Sequence, residues 1–441
     1  MLKTANKFIV VMVVFVLSLT PIQLSTAQPY VLDYETASPF DLLAAERGVE
    51  FATNYVRTLT MLNNFIDSLP VSRTGELMFP DYFGGAYIDG DGNAVLLMVD
   101  MPIASPVLEG RGVVSRTISE HIEQMQTSEG VTVRQVEFAY SALWAAIHLL
   151  NDLIPPTLED MAAANAGGWY LDVVNNRVVV ELVDFTEDAV TVFRETVLDV
   201  PLIAFTQSDG PMVLEMPEYD YENTDYLSTD ELAIIPFNTS VAHVGQQINV
   251  RRNGVIIGNG SIGYRASASG GIGFVTAAHL GLAHGGLQFG DSIYLPWRST
   301  RIGRVAAPNH VILSGSDSAF ITLDPGLEIT SFSSGHFING STTHLWRGQY
   351  VASNGFISGS RSGNVTTFGL REIIQCDITG VSFLVMNAMN STIGAARGDS
   401  GGIVYCLHTN AAVGIISGGS STRSVTSTVA EINVRIRAVA R

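Results

Sequence analysis

Gly398-Asp399-Ser400-Gly401-Gly402 sets a serine among glycines, and its reading decides the rest of the chain. A serine hydroxyl is a poor nucleophile unless a neighbouring base takes its proton. Glycines allow a tight turn in which backbone N–H groups point at a substrate oxygen, a contribution of about 3–4 kcal/mol per donor. Working outward, Phe274-Val275-Thr276-Ala277-Ala278-His279 puts an imidazole just past a strand-like run. Ser316-Asp317-Ser318-Ala319-Phe320-Ile321 puts one carboxylate at the head of an apolar strand. A histidine can serve as the base if a carboxylate fixes its tautomer and stabilises the imidazolium. Taken singly, His279 reads as a structural histidine and Asp317 as a turn residue. Together they read as a nucleophile, a base and an orienting acid.

Chain order separates this reading from another. G-x-S-x-G also occurs at the nucleophile of α/β-hydrolases, which need the order serine, acid, histidine. Here the order is His279, Asp317, Ser400, and His408 is the sole later histidine. Around these motifs the chain is rich in Gly, Ser, Val and Ile. Strand-like runs recur between turn signals at 247–257, 260–266, 272–277, 302–306, 311–313, 318–323 and 411–417. That pattern predicts an all-β sandwich or barrel beginning near 235–245.

The remainder has a different character. With 441 residues, 46% hydrophobic and 15% charged, the chain can build more than one core. A net charge of -18 argues against a nucleic-acid partner. Two cysteines are too few for a disulfide scaffold or a CxxC zinc site, and neither metal nor cofactor is expected. Lys3, Lys7, the apolar run Phe8 to Leu19 and Ser25-Thr26-Ala27 predict a secretory signal over residues 1–27. The run is short for a membrane anchor, which needs about 20 apolar residues. A secreted protein with no membrane association after signal removal is therefore expected.

Residues 28–250 carry 34 acids against 8 arginines, whereas 251–441 carry 14 arginines against 8 acids. Regions of opposite sign attract. Within 28–207 a weak repeat occurs. Gly84-Gly85-Ala86-Tyr87-Ile88-Asp89 and Gly167-Gly168-Trp169-Tyr170-Leu171-Asp172 each precede a polar turn and an apolar run, which predicts two β-hairpins. Helices are expected over Phe40 to Leu69, Val133 to Leu153 and Glu187 to Asp199. Asp89-x-Asp91-x-Asn93 imitates a calcium loop but has Ala94 where glycine is needed, and reads as a plain turn. Residues 208–233 hold eight acids and no base, and predict an exposed linker and processing region over 208–240.

The three motifs, in this order, resemble the chymotrypsin-fold serine proteases, and in particular the secreted bacterial branch of α-lytic protease and the streptogrisins. Gly260-Ser261-Ile262-Gly263-Tyr264-Arg265 with Gly273 to His279 resembles that branch's strand pair leading into the histidine. Gly414-Ile415-Ile416-Ser417-Gly418-Gly419-Ser420 resembles its substrate-binding strand. The resemblance implies a double Greek-key β-barrel over 241–441 after an α+β pro-region over 28–207. It implies a serine endopeptidase made as a precursor, acting on proteins or peptides, with the pro-region as its folding aid and inhibitor. A catalytically dead peptide-binding module or adhesin on the same fold is the alternative.

Residue by residue, the resemblance makes His279 the base, Asp317 its orienting acid and Ser400 the nucleophile. It makes Gly398 and Ser400 the oxyanion donors, and Ser417, Gly418 and Gly419 the strand that binds substrate backbone. It pairs Arg361 with Asp399, the rival being a solvated turn arginine. Cysteines usual in the family are absent at Gly260 and Leu280. Export makes a bridge between Cys376 and Cys406 plausible, the rival being two buried free thiols. Thr392 to Arg397 and Gly414 to Ser420 would line the specificity pocket, and neither has an acid. Apolar side chains are therefore expected before the scissile bond, with an acid-preferring pocket as the rival.

Overall fold

A computed structural model describes residues 38–73, 77–99, 116–214, 241–268, 271–296, 301–308, 315–333, 335–376 and 379–440. The expected signal, most of the acidic stretch and the expected processing region lie outside the described residues. No helix among the described residues is long and apolar enough to cross a membrane.

The N-terminal region is built twice on one plan. Helices α1 (Pro39–Arg47) and α2 (Val49–Ser68) precede the hairpin β1 (Phe83–Ile88) and β2 (Ala94–Val99). Helix α3 (Arg116–Thr127) then leads to β3 (Val131–Val136), which lies parallel to β2. In the second copy, α4 (Tyr140–Leu153) and α5 (Leu158–Ala163) precede the hairpin β4 (Ala166–Asp172) and β5 (Arg177–Leu182). Helix α6 (Glu187–Thr196) leads to β6 (Ile203–Gln207), parallel to β5. Both predicted hairpins form, each antiparallel.

Two helix expectations change. The first is split at Gly48, whose φ of +94° no helix accommodates. The second loses its start: Val133 to Val136 is strand, paired along β2. The Asp89 carboxylate accepts the amides of Asp91 and Asn93 at 2.9 and 2.8 Å, as a turn requires.

Strand β7 (Met212–Leu214) lies within the stretch expected to be linker. Its three residues are apolar and run parallel to a later strand, so this part of the acidic stretch is ordered.

The C-terminal region is almost entirely β. Strands β8 (Val241–Ala242), β9 (Gln247–Arg252), β10 (Val255–Ser261), β11 (Arg265–Ala268), β12 (Gly271–Thr276), β13 (Ser292–Tyr294), β14 (Arg301–Pro308) and β15 (Ala319–Leu323) come first. Short strands β16 (Glu328–Ile329), β17 (Phe332–Ser333) and β18 (His336–Phe337) follow. Next come β19 (Tyr350–Gly355), β20 (Gly359–Cys376), β21 (Ser382–Ser391), β22 (Ile403–Cys406), β23 (Ala412–Gly419) and β24 (Ser424–Thr428). Helix α7 (Val429–Ile436) and β25 (Val439–Ala440) close the chain.

Two sheets organise these strands. One runs β10-β9-β13-β14-β15-β12-β11-β25. The other runs β19-β22-β23-β24-β21-β20 and continues without a break into β4-β5-β6 of the N-terminal region. The junction is β20 against β4, with Phe368 opposite Leu171 and Glu372 opposite Gly168. A Cβ at Gly168 would lie 2.4 Å from the Arg371 carbonyl oxygen, so only glycine permits the approach. Arg371 is buried at this seam. Its guanidinium donates to the carbonyls of Ile154, at 2.7 Å, and Pro155, and stacks over Trp169 at 4.5 Å.

Candidate active site

Each chemical group sits at the end of a rigid strand. His279 follows β12, Asp317 precedes β15, and Ser400 lies in the turn before β22. Strands β12 and β15 are antiparallel neighbours, with Thr276 opposite Ala319, which brings His279 and Asp317 to one end of the first sheet. Asp317 Oδ2 lies 2.6 Å from His279 Nδ1, and Oδ1 accepts the His279 backbone amide at 2.8 Å. His279 Nε2 lies 2.9 Å from Ser400 Oγ. Asp317 is fully buried, and the Asp317 amide also donates to Ser427 Oγ. Phe383, from β21, stacks on the imidazole with ring centres 5.2 Å apart and keeps water from one of its faces.

The turn that carries Ser400 is fixed from three directions. Gly398 has φ +101°, and a Cβ there would meet Ile357 Cγ1 at 2.7 Å. Ser261 Oγ donates to the Gly398 carbonyl at 2.7 Å, and the Ser261 amide donates to the Ser400 carbonyl at 2.8 Å. Asp399 is buried within the turn. Its Oδ1 accepts the amides of Ile357 and Ser358, each at 2.9 Å, and its Oδ2 accepts that of Ala396 at 2.8 Å. The N–H groups of Gly398 and Ser400 have no acceptor among the described residues, which leaves them available for a substrate oxygen.

Two residue expectations are corrected. Arg361 does not pair with Asp399: it is exposed on β20, and backbone amides already fill the carboxylate. Three neutral donors satisfy that buried charge without bringing in a second ion to be desolvated. Cys376 and Cys406 are not bridged; both are buried free thiols. Gln349 donates to Cys406 Sγ at 3.1 Å, while Cys376 lines the cleft beside Ser400. The absent family bridge has a packing substitute. A Cβ at Gly260 would lie 2.6 Å from Leu280 Cδ2, so the leucine fills the space beside the histidine.

Strand β23 carries Ser417, Gly418 and Gly419. It pairs with β22 only as far as Ile415 and with β24 through Gly419, so Ser417 to Gly419 have a neighbour on one side only in this sheet. Ser417 Oγ is 2.7 Å from Ser427 Oγ, linking this strand to the support under Asp317. Strand β7 of the N-terminal region lies close beside β23. The two segments expected to line a specificity pocket touch each other: the Ala395 amide donates to the Ser420 carbonyl at 2.7 Å. Glu431, the first acid after the 414–420 segment, is held by Asn387 and Arg435 at 2.8 and 2.6 Å. No group of three or more metal-ligating side chains occurs among the described residues.

Residues 149–208 match the family described as a Pro-like C-terminal domain, a span that runs from the end of α4 through β6. Two β-sheets with the histidine and aspartate at one sheet and the serine at the other complete the architecture. The chain has a two-sheet, all-β C-terminal region after an α+β N-terminal region, as the sequence predicts. Among solved structures, Cellulomonas bogoriensis chymotrypsin is similar at 22% identity over 46% of this chain and 98% of its own, with a TM-score of 0.35. Nocardiopsis protease is similar at 22% identity over 46% of this chain and 99% of its own, with a TM-score of 0.36. Thermobifida fusca protease A is similar at 18% identity over 45% of this chain and 98% of its own, with a TM-score of 0.36. No curated protein sequence matches the chain.

Phe383, Ser261, Ser427 and Arg371 escaped the sequence reading. Only Ser261 had a local signal, because it lies in the quoted strand pair. The others act through partners more than 100 residues away in the chain.

Proposed function

We propose that the chain is the precursor of a secreted serine endopeptidase that cleaves peptide bonds through an acyl-enzyme. The observation that carries this reading is the continuous contact from Asp317 through His279 to Ser400 Oγ, at 2.6 and 2.9 Å. His279 Nε2 takes the Ser400 proton as Oγ attacks the substrate carbonyl, and Asp317 stabilises the imidazolium. The N–H groups of Gly398 and Ser400 hold the oxyanion. The imidazolium then protonates the departing amine, and water repeats the sequence to free the acid. Ser417 to Gly419 take the acyl half of the substrate as an added strand. Small uncharged residues at 394–396 favour apolar side chains before the scissile bond.

The pro-region is the proposed folding aid and inhibitor. Its sheet continues into β20, and β7 lies beside the strand that would bind substrate. Self-cleavage within 235–245 would release the enzyme, with Ser400→Ala accumulating as an uncut precursor.

A fluorophosphonate probe tests the central claim. Processed protein should label at Ser400, and Ser400→Ala should not. A folded, processed protein that fails to label would instead favour the inactive binding module.

A further inference from the structure

We propose that a basic pocket beside the cleft is an exosite for acidic residues on the leaving-group side of a polypeptide substrate. The proposal rests on the protease reading, and its test is built to fail separately from it. The pocket, about 490 Å³, lies between the β9–β10 turn, residues 288–292, Tyr294 of β13 and Arg304 of β14.

Three guanidinium groups meet there with a single carboxylate. Arg252 is committed to Asp291 through bonds of 2.9 and 2.7 Å, and also donates to the carbonyls of His284 and Gly286 at 2.7 and 2.8 Å. That clamp is the pocket's frame. Arg251 stacks over the Tyr294 ring at 4.5 Å, and its Nε is buried with no hydrogen-bond partner. Arg304 donates to the Gly290 carbonyl at 3.3 Å. Neither Arg251 nor Arg304 has a carboxylate partner among the described residues. An aromatic floor under a partly desolvated guanidinium holds its fork for a planar carboxylate. Phe289, 79% exposed at the rim, adds an apolar contact for a peptide.

Position supplies the class of partner. Arg251 sits directly opposite Ile256 across the β9–β10 hairpin, and Ile256 lines the cleft with His279, Leu280 and Ser400. His284 lines the same cleft, and its carbonyl holds Arg252. None of Ser417 to Gly419 lines that cleft, so this side receives the half of the substrate that departs first. A polypeptide running out of the cleft along the hairpin would reach the pocket several residues beyond the scissile bond. The chain's own acidic stretch at 208–233 precedes the expected processing site, so it lies on the acyl side during self-cleavage and is not the occupant proposed.

The test uses quenched fluorescent peptides that share one scissile region. They are extended on the leaving side by spacers of graded length ending in three aspartates or three asparagines. Processed wild-type enzyme and the Arg251→Gln/Arg304→Gln double variant are compared. At one spacer length or more, the aspartate peptide should show kcat/KM roughly tenfold above the asparagine peptide at low ionic strength, through KM. The advantage should vanish in the double variant and in about 0.5 M salt, while the unextended peptide is cut equally by both enzymes. A ratio near one at every spacer length, or a ratio the double variant leaves unchanged, overturns the proposal. Failure to cut any peptide would count against the protease reading instead. Fluorescence anisotropy of the labelled aspartate extension on full-length Ser400→Ala would then still decide the pocket. Binding must be weaker when Arg251→Gln and Arg304→Gln are added; equal binding rejects the exosite.

Discussion

Asp317 has two tasks that one substitution separates. It accepts the His279 backbone amide as well as the ring Nδ1–H. Asp317→Asn keeps the shape but offers the ring an N–H, and kcat should fall about 10⁴-fold with the melting temperature little changed. Asp399→Ala should behave in the opposite sense, as a folding defect. Three part-buried amides lose their acceptor, at about 1 kcal/mol each before relaxation, whereas exposed Arg361→Ala should stay within about 0.5 kcal/mol. Denaturant unfolding of the two variants checks this; a large loss from Arg361→Ala would restore the ion pair. At this scale the sequence was most legible where chemistry is carried by a short motif. His279, Asp317 and Ser400 each announced themselves within six residues. Phe383 and Arg371 did not, because what they touch is set by pairings distant in the chain.

Among elements, the seam between β20 and β4 is the most informative. Gly168→Val should push a methyl group into the Arg371 carbonyl, part the two strands and sharply lower the yield of active enzyme, with intact precursor still detected by immunoblot. The seam should also respond to pH. Glu181 of β5 is held up to about 7 by burial, by Glu372 and by Asp209, with Arg423 opposing. Glu372 is itself raised by burial, although Arg423 binds both its oxygens at 2.9 and 2.8 Å. A carboxyl raised in the docked state binds its proton more tightly there. Docking is therefore fullest below the ordinary value of 4.5 and weakens as pH rises through about 7. Dissociation of the cleaved but non-covalent complex between pH 5 and 8 measures the slope, and Glu181→Gln should flatten it. A slope that survives Glu181→Gln would place the sensor elsewhere. The two hairpins of the N-terminal region were readable because each alternates around a polar turn. Strands β20 and β21 were not: Gly363 and Gly369 interrupt the former, and cover from the pro-region blurs its inside-outside pattern.

For the whole molecule, the charge split promised an ionic interface, and the contact surface is of another kind. No ion pair among the described residues joins the N-terminal region to the C-terminal β region. The contact includes strand pairing and aromatics, with the Tyr350 amide donating to Tyr55 Oη at 2.8 Å and Phe51 edge-on to Tyr350. Long-range attraction should then raise the association rate and leave dissociation nearly insensitive to salt. Surface plasmon resonance at two ionic strengths separates the rates; a strongly salt-dependent off-rate would reveal ion pairs at the contact. The free thiols carry a second expectation at this scale: a reducing agent should leave the melting temperature unchanged, since neither thiol holds a covalent cross-link.

The shared sheet also has a direction in time. A ribosome delivers the N-terminal region first, at about 5–20 residues per second. Strands β4 to β6 and their helices form a sheet from neighbours close in sequence, whereas β20 must find β4 across nearly two hundred residues. Closing such long loops is what slows β-rich chains. The emerging β20–β21 hairpin thus meets a finished edge rather than a search. A gene encoding the same two regions in reversed order would contain every contact described here and lose that schedule.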